Sequence, residues 1–255
     1  MGDLADDIVI IGGLVPSLLI DQTLFDRADD RHVGTLDLDL GLALAILDHR
    51  RYQALTERLR QAGFSQDENE DGKATRQRWR INGPPMVTVD FLIPPSTLRD
   101  RPGTLRNIEG DFAAIIAPGL HLAFIDRERV KLVGKTIVGE MATRDIWVAG
   151  PAAFVVLKAL AFKSRGENKD VYDLFYLLRY FGHGIDQIAA RLIPLLQHVE
   201  ARDALAVLEK DFADIDSVGP RRVAEFLRGT RDDELQADAL GLMLDLLQRA
   251  RTVGA

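Results

Sequence analysis

The pattern of apolar and polar positions divides the chain into two parts. Strand-like segments rich in valine and isoleucine, with β-turn signals between them, concentrate before about residue 150. Beyond Gly150-Pro151 the leucines and alanines recur at helical spacing almost to the end. The pattern therefore predicts an α+β protein with two domains: a mixed sheet with flanking helices over residues 1–150 and an all-helical domain over residues 151–255.

The first segment with candidate chemistry is a glycine pair. Residues 7–13 (DIVIIGG) predict a short buried strand that runs into Gly12 and Gly13, and LVPSLLI after them predicts the start of a helix. Backbone amides of such a pair can face a phosphate, although Gly-Gly alone is a weak signal and a plain tight turn explains it too. Ser17, next to Pro16 in the first helical turn, can donate to a phosphate or cap the helix.

The most acidic strand lies at residues 35–40 (TLDLDL), where leucines alternate with polar residues. Asp37 and Asp39 then point to the same face, about 6.6 Å apart at Cα. Two carboxylates this close repel each other unless a cation lies between them, and they can hold one or two divalent ions. On alternation alone, a strand with a solvated polar face is the simpler explanation.

Other segments of the first part complete the predicted sheet. We expect a surface loop over residues 21–32, an amphipathic helix over 47–63 and an acidic turn over 66–72. A hairpin is predicted from TRQRWRI and MVTVDFLI, which flank an Asn-Gly-Pro-Pro turn. Further β-like segments are FAAII, LHLAFI, VKLVGKTIVG and DIWVAG.

Two details of this region matter for function. Gly134-Lys135-Thr136 resembles the end of a phosphate-binding Walker loop, but Arg129 stands where its first glycine belongs and no helix pattern follows, so a hairpin turn is the better interpretation. Asp90 is a single acid in an apolar strand, and burying its charge requires a partner. A metal ion and a salt bridge to one of the arginines at positions 76, 78 and 80 are equally good candidates.

The helical part carries a second group of charged residues. Lys158 lies inside an apolar helix, where it must either extend to solvent or meet an anion. In the next helix Asp170 and Asp173 lie one turn apart, and Lys169 can pair with Asp173. Further helices are predicted near residues 184–198, 200–213, 218–228 and 233–251.

Composition excludes several classes of protein and site. There is no cysteine, so disulfides, thiolate nucleophiles and cysteine-built zinc sites are excluded, and the five histidines show no metal-ligand spacing and are expected to be mostly ordinary surface or half-buried imidazoles. A net charge of -7 argues against a broad nucleic-acid surface but leaves room for a local basic cleft. With no long apolar run and an acidic N-terminus, we expect a soluble cytoplasmic protein without a membrane association.

Taken in order, Gly12-Gly13, Asp37-x-Asp39 and Asp90 resemble the glycine turn, D-x-D strand and third acid of polymerase β-type nucleotidyltransferases. Lys158, Arg165 and Lys169-Asp170-x-x-Asp173 are similar to the K…R…K-D-x-x-D signature of the AbiEii/AbiGii toxin family within that superfamily. The resemblance covers roughly residues 7–180; the C-terminal helices carry no matching motif. The sequence departs from the family pattern in two places. The glycine turn is Gly-Gly where many members have Gly-Ser, and the interval between Gly13 and Asp37 is long.

The resemblance implies a nucleotidyltransferase-like sheet and transfer of a nucleoside monophosphate from an NTP to a macromolecular acceptor. Asp37, Asp39 and Asp90 would hold Mg²⁺, with a base as the other role for Asp90. The Gly12 and Gly13 amides would bind phosphates, with Ser17 replacing the missing hydroxyl. Lys158 would supply positive charge to the triphosphate, and Lys169 and Asp170 would support the site, whereas a structural salt bridge is the expectation for Asp173.

The family resemblance further implies the toxin of a toxin–antitoxin or abortive-infection pair, with a cognate antitoxin and with RNA such as tRNA, or a protein, as acceptor. Two alternatives remain open at the level of sequence. One is a nucleotidyltransferase antitoxin that adenylylates a partner protein, although those are usually much shorter. The other is an inert nucleotide-binding module, which has no need to keep three costly like charges together.

Overall fold

The structure is a computed structural model that describes residues 2–43, 49–69, 71–83, 86–97, 99–109, 112–136 and 139–252. The chain folds into two units. The first, called the sheet unit, contains residues 1–18 and 34–149; the second, called the helical unit, contains residues 19–33 and 150–255. The helical unit thus consists of two segments. One begins at Gly150, and the other is residues 19–33, which the domain prediction had grouped with the sheet.

Nine strands of the described residues form one mixed sheet. Their bounds are β1 Ile8–Ile11, β2 Asp37–Leu42, β3 Ser65–Glu68, β4 Ala74–Ile81, β5 Val87–Ile93, β6 Leu105–Glu109, β7 Phe112–Ile116, β8 Arg127–Lys135 and β9 Met141–Ala149. The order is β3-β4-β5-β2-β1-β9-β8, and β7 pairs with the end of β5 and with β6. The pairs β2–β5, β1–β9 and β5–β7 are parallel, and the others are antiparallel.

Alternation along the central strands separates a packed face from a polar face. Leu40 and Leu42 of β2 are buried together with Val89, Phe91 and Ile93 of β5. Phe112 packs against Phe91 with ring centroids 5.0 Å apart. The acids of β2 and β5 occupy the intervening positions, so burial of the aliphatic face is what turns them to the other side of the sheet.

The helices over the described residues are α1 Val15–Leu19, α2 His49–Gln61, α3 Leu122–Ile125, α4 Pro151–Arg165, α5 Asn168–Tyr180, α6 Ile185–Leu192, α7 Val199–Asp211, α8 Val218–Arg228 and α9 Asp233–Thr252. Helix α4 has Gly150 as its N-cap, Pro151 in its first turn and Gly166, with a φ of 68°, as its C-cap. This follows the usual asymmetry of proline at the start and glycine at the end. Within the described part of the chain, none of the helices is long and apolar enough to cross a membrane.

Most elements predicted from periodicity are confirmed: the strand before the glycine pair, the acidic strand, the β4–β5 hairpin, strands β7, β8 and β9, and the helices of the second half. The acidic turn over residues 66–72 is wrong in part, because Ser65–Glu68 pairs with β4 as a strand. LHLAFI forms the short helix α3 instead of a strand, and β6 was not foreseen. Leu47 and the two prolines of the predicted hairpin turn lie outside the described residues.

Candidate active site

The acids of the sheet unit are brought together by strand register. In the parallel pairing of β2 with β5, Asp39 is the partner of Asp90 and Asp37 is the partner of Thr88. Directly paired residues project to the same face, and neighbouring strands lie about 4.8 Å apart. All three carboxylates therefore stand on one face of the sheet, and the Thr88 hydroxyl donates to Asp37 Oδ1.

Gly12 lies beside the Asp39 carboxylate, which occupies the space that a side chain at position 12 would need. Strand β1 runs antiparallel to β2 with Ile11 opposite Asp39, and Gly12 follows with a φ of +74°. A Cβ built on Gly12 would lie 1.9 Å from Asp39 Oδ2. A side chain is excluded here both by the backbone conformation and by this contact. Sequence analysis had singled out Gly12 for phosphate binding and had missed its steric role beside Asp39.

The 3-10 turn Gly12–Leu14 leads directly into α1. Gly13 is buried in this turn and Ser17 is half-buried in α1. The predicted strand–turn–helix is therefore present beside the acids. The role of Gly13 and Ser17 toward a phosphate stays a prediction.

Asp90 is paired with Arg78. It is 6 % exposed, and Arg78, its partner across β4 and β5, donates Nε to Oδ1 at 2.9 Å and Nη2 to Oδ2 at 2.5 Å. The Asp90 hydrogen bond raises the pKa of Arg78 against the opposing effect of burial. Arg80 pairs with Asp67, and Arg76 donates to Asn107. Of the candidates left open by sequence, the structure contains the salt bridge to Arg78.

The donor chemistry suits Mg²⁺ at two of the three acids. Among the described residues, no three Asp, Glu or His side chains are grouped as a ready metal site. Mg²⁺ in phosphate-transfer sites needs only one or two carboxylates, since substrate phosphates and water supply the other oxygens. Asp37 and Asp39 meet this requirement on one face, whereas both oxygens of Asp90 already accept hydrogen bonds from Arg78.

The helical unit contains its own charged cluster around Lys158. This ammonium is 4 % exposed, and Asp170 and Asp173 are fully buried. Lys158 Nζ lies 2.9 Å from Asp170 Oδ1 and 2.5 Å from Asp173 Oδ2. Two helices hold the three side chains: Lys158 faces inward from α4, and one turn of α5 separates the two acids. Of the two possibilities raised from sequence for Lys158, extension to solvent or contact with an anion, the structure shows the second. The anion is the carboxylate pair of Asp170 and Asp173.

Two further cations border this cluster from the solvent side. Arg165 binds Asp170 with two hydrogen bonds, Nε to Oδ2 at 2.7 Å and Nη2 to Oδ1 at 2.6 Å. Lys169 Nζ lies 2.9 Å from Asp173 Oδ1, as the i,i+4 spacing predicted. The K…R…K-D-x-x-D residues therefore form one network of three cations and two carboxylates.

The network controls the ionisation of its members. Burial by itself raises the pKa of Asp173, but the His32 hydrogen bond and the charges of Lys158 and Lys169 outweigh burial and hold the pKa at about 2. Asp170 follows the same pattern, with Arg165 and Lys158 lowering its pKa against burial. For Lys158, burial lowers the pKa, but the charges and hydrogen bonds of Asp173 and Asp170 outweigh burial, so the pKa is raised. Asp170, Asp173 and Lys158 are therefore all charged at neutral pH.

His32 is the member of this cluster that sequence analysis missed. Its Nε2 lies 2.9 Å from Asp173 Oδ1, and neither side chain is exposed. The imidazole stacks on Tyr172 with centroids 5.3 Å apart, and burial lowers its pKa despite Asp173. His32 is thus an exception to the expectation that most of the histidines are ordinary surface or half-buried imidazoles. Nothing in residues 21–32 signals this, because the partner is 141 positions away in sequence.

Residues 27–251 match a family described as "Nucleotidyl transferase AbiEii toxin, Type IV TA system". The chain belongs to the AbiEii family. Among curated proteins, the comparison found no match. The AbiEii match includes Asp37, Asp39, Asp90 and the Lys158 network, whereas Gly12 and Gly13 precede it.

Membership in the AbiEii family confirms the resemblance drawn from sequence. It makes the chain a member of a family of nucleotidyl transferase toxins from type IV toxin–antitoxin systems, and such a toxin has a nucleotide substrate and a cognate antitoxin. The family description names the toxin half of such a pair, which favours that role over the antitoxin alternative raised from sequence.

Proposed function

We propose that the chain is a Mg²⁺-dependent enzyme that transfers a nucleoside monophosphate from an NTP to a macromolecular acceptor. The observation that carries the proposal is the register of β2 and β5, which aligns Asp39 with Asp90 and leaves Asp37 on the same face. Family membership supplies the reaction class. The metal, the nucleotide and the acceptor are the parts that we propose.

Asp37 and Asp39 are the proposed metal ligands. Bound there, Mg²⁺ would neutralise charge on the phosphates and on the departing pyrophosphate. The Asp39 carboxylate is held against Gly12, and Asp37 accepts from Thr88. Both oxygens are thus positioned before a nucleotide arrives, which is the kind of preorganisation that electrostatic catalysis requires.

Asp90 has two proposed roles, as a third ligand or as the base that accepts the proton of the attacking hydroxyl. Both roles require its carboxylate to leave Arg78, to which it is now bound through two hydrogen bonds. Arg78 would then be left with free donors on the same face. A guanidinium in that position matches the oxygens of a phosphate.

Two groups are proposed for phosphate recognition. In the sheet unit they are the amides of Gly12 and Gly13 with the Ser17 hydroxyl, because the turn that carries them lies next to Asp39. In the helical unit they are Lys158 and Lys169, with Asp170 as the anchor that positions Lys158. Three cations against two carboxylates leave that network with an excess of positive charge, which favours an anionic ligand.

The proposal is tested by incubating the purified chain with Mg²⁺, each α-labelled NTP in turn, and either total RNA or a protein extract. Asp39→Asn keeps the shape of the side chain and removes the ligand charge, so label transfer should fall by about 10² to 10³-fold. Asp203→Asn, an exposed acid of α7, is the matched control and should transfer label like the parent. Equal labelling by the parent and Asp39→Asn, or no labelling of either pool by the parent, contradicts the proposal.

The distribution of label also separates the acceptors. Label in RNA supports a nucleic-acid acceptor, and label only in protein supports the adenylylating alternative. Growth arrest on expression, relieved by co-expression of the cognate antitoxin and absent for Asp39→Asn, ties toxicity to the transfer reaction. Arrest by Asp39→Asn as strong as by the parent would show that toxicity does not depend on transfer.

A further inference from the structure

A cleft lined by aromatic rings and arginines lies within the helical unit. Its volume is about 790 Å³, and small-molecule sites usually measure about 300 to 1,000 Å³. Residues 27–33 form one part of its lining, and α5, the end of α8 and Leu235 of α9 form the rest. We call it the aromatic cleft. Its lining includes none of the residues proposed to bind the NTP or Mg²⁺.

Aromatic rings from two helices line the cleft. Tyr172, Phe175 and Tyr176 of α5 are buried, whereas Tyr180 and Phe226 are half-buried. The Phe226 ring stacks on Tyr172 with centroids 4.4 Å apart and an interplanar angle of 23°. One face of Phe226 is thus covered while the residue keeps part of its surface open. The ring can therefore extend an existing aromatic stack to a further planar group.

Two of the arginines that line the cleft are held weakly by acids. Arg27 Nη2 lies 3.8 Å from Asp29 Oδ2, and Arg228 Nε lies 3.6 Å from Asp232 Oδ2. Both distances are longer than a hydrogen bond, and ion pairs of this kind at the surface contribute little to stability. A phosphate that accepts two hydrogen bonds from a guanidinium can replace such a pair.

Arg31 is the most available of the four arginines in the lining. Among the described residues it donates to a backbone carbonyl at 3.3 Å and pairs with no carboxylate. Arg179 is the least available, because it pairs with Asp238. Two acids, Asp29 and Asp30, also line the cleft, so arginines outnumber acids there. The lining therefore favours an anionic ligand.

The wall formed by residues 27–33 is held against α5 before any ligand binds. The Tyr172 hydroxyl accepts from the Val33 amide at 3.0 Å, and the Tyr176 hydroxyl donates to the Asp30 carbonyl at 3.2 Å. The buried His32 ring stacks on Tyr172 within the same segment. Because the wall is already in place, binding a ligand costs less conformational entropy.

We propose that the aromatic cleft binds a free mononucleotide, with its base against Phe226 and its phosphates on Arg31 and Arg228. A base stacks on an aromatic ring, and planar guanidinium donors fit phosphate oxygens. The cleft offers both contacts in the volume of a small molecule, which favours a mononucleotide over a polymer. The site is additional to the one that carries the proposed transfer reaction and does not depend on it.

The test measures binding of mant-labelled ADP, GDP, CDP and UDP by fluorescence in EDTA, so that Mg²⁺-dependent binding at the acids of β2 does not contribute. The parent should bind at least one of them. Arg31→Gln/Arg228→Gln should bind it about tenfold or more weakly, because two charged contacts to phosphate are lost. The control Lys210→Gln/Arg221→Gln removes two exposed cations of the same unit outside the cleft and should bind like the parent.

A second pair of variants tests the stacking contact. Phe226→Leu keeps an apolar side chain but removes the ring, so the affinity should fall about tenfold. Phe226→Tyr keeps the ring and should bind like the parent. Asp39→Asn should also bind the nucleotide like the parent in EDTA, so a failure of the transfer reaction leaves the cleft site standing. Circular dichroism confirms the fold of each variant.

Four outcomes overturn the proposal. They are no binding of any of the four nucleotides by the parent, equal affinities of the two double variants, displacement of the nucleotide by inorganic phosphate at equal concentration, and binding of a short RNA oligonucleotide without binding of a mononucleotide. Displacement by the unlabelled nucleotide but not by phosphate or by the nucleoside supports it, since the site then requires both the base and the phosphates.

Discussion

Gly12 and Asp39 are in direct contact, and the contact leaves no room for any side chain at position 12. A Cβ there would lie 1.9 Å from Asp39 Oδ2 and 2.7 Å from its Cγ. The glycine that precedes the acids in sequence is therefore also the residue that sets the position of one proposed metal ligand.

This contact predicts that Gly12→Ala inactivates the chain through Asp39. Gly72→Ala is the matched control, because Gly72 has the same φ of +74° and no atom within 4 Å of its Cβ position. Both variants should lose about 1 to 2 kcal/mol from the left-handed backbone. Only Gly12→Ala should also lose label transfer and its Mg²⁺-dependent thermal shift. Equal activity of the two variants would show that Asp39 has no role that depends on its position.

The Arg78–Asp90 pair predicts a response to Mg²⁺. Arg78→Met leaves a buried carboxylate without its partner, so the free energy of unfolding should fall by about 1 to 3 kcal/mol. Because Asp90 is then available as a ligand, added Mg²⁺ should raise the Tm of Arg78→Met more than that of the parent. Arg76→Met, on the same strand, is the control and should behave like the parent. A Mg²⁺ response that Arg78→Met does not change would leave Asp90 with a purely structural role.

Lys158 predicts a large effect on stability. Lys158→Met removes a cation that contacts both buried carboxylates, Asp170 and Asp173, at a cost of about 3 to 5 kcal/mol. Lys163→Met, at an exposed position of the same helix, should change stability by less than about 0.5 kcal/mol. Chemical denaturation measures both. If Lys158→Met is as stable as Lys163→Met, the network around Lys158 does not contribute to the fold.

His32 and Asp173 predict how stability depends on pH. The pKa of His32 is lowered in the folded state, so the unfolded chain binds the proton first and stability is lost as pH falls below the unfolded value of about 6.5. Asp173 has a pKa of about 2 in the folded state. It therefore stabilises the fold at pH values above the unfolded pKa of about 3.9, and this stabilisation is lost as pH falls toward 2.

His32→Gln should therefore make the free energy of unfolding depend less on pH between about pH 5 and 6.5, with a slope reduced by up to about 1.4 kcal/mol per pH unit. His183→Gln, an exposed imidazole, should leave the curve as in the parent. Urea denaturation at a series of pH values measures all three chains. A parent curve that is flat over this range would contradict the buried, neutral imidazole.

The local sequence pattern was sufficient to predict most helices and strands and the face on which their polar residues lie. Alternation in TLDLDL placed Asp37 and Asp39 on one face, and helical spacing placed Lys169 next to Asp173. These features depend on residues within a few positions of one another, so periods of two and of 3.6 residues are enough to predict them. Even the presence of a partner for Asp90 followed from the cost of burying its charge.

Tertiary structure alone decided which distant residues became partners. The register that sets Asp39 opposite Asp90, the choice of Arg78 among three arginines, the closeness of Gly12 to Asp39 and the pairing of His32 with Asp173 all join separate segments of the chain. Periodicity determines the face that a side chain occupies but carries no information on the strand or helix that packs beside it. That choice is made by burial of the whole apolar face at once, to which every segment contributes.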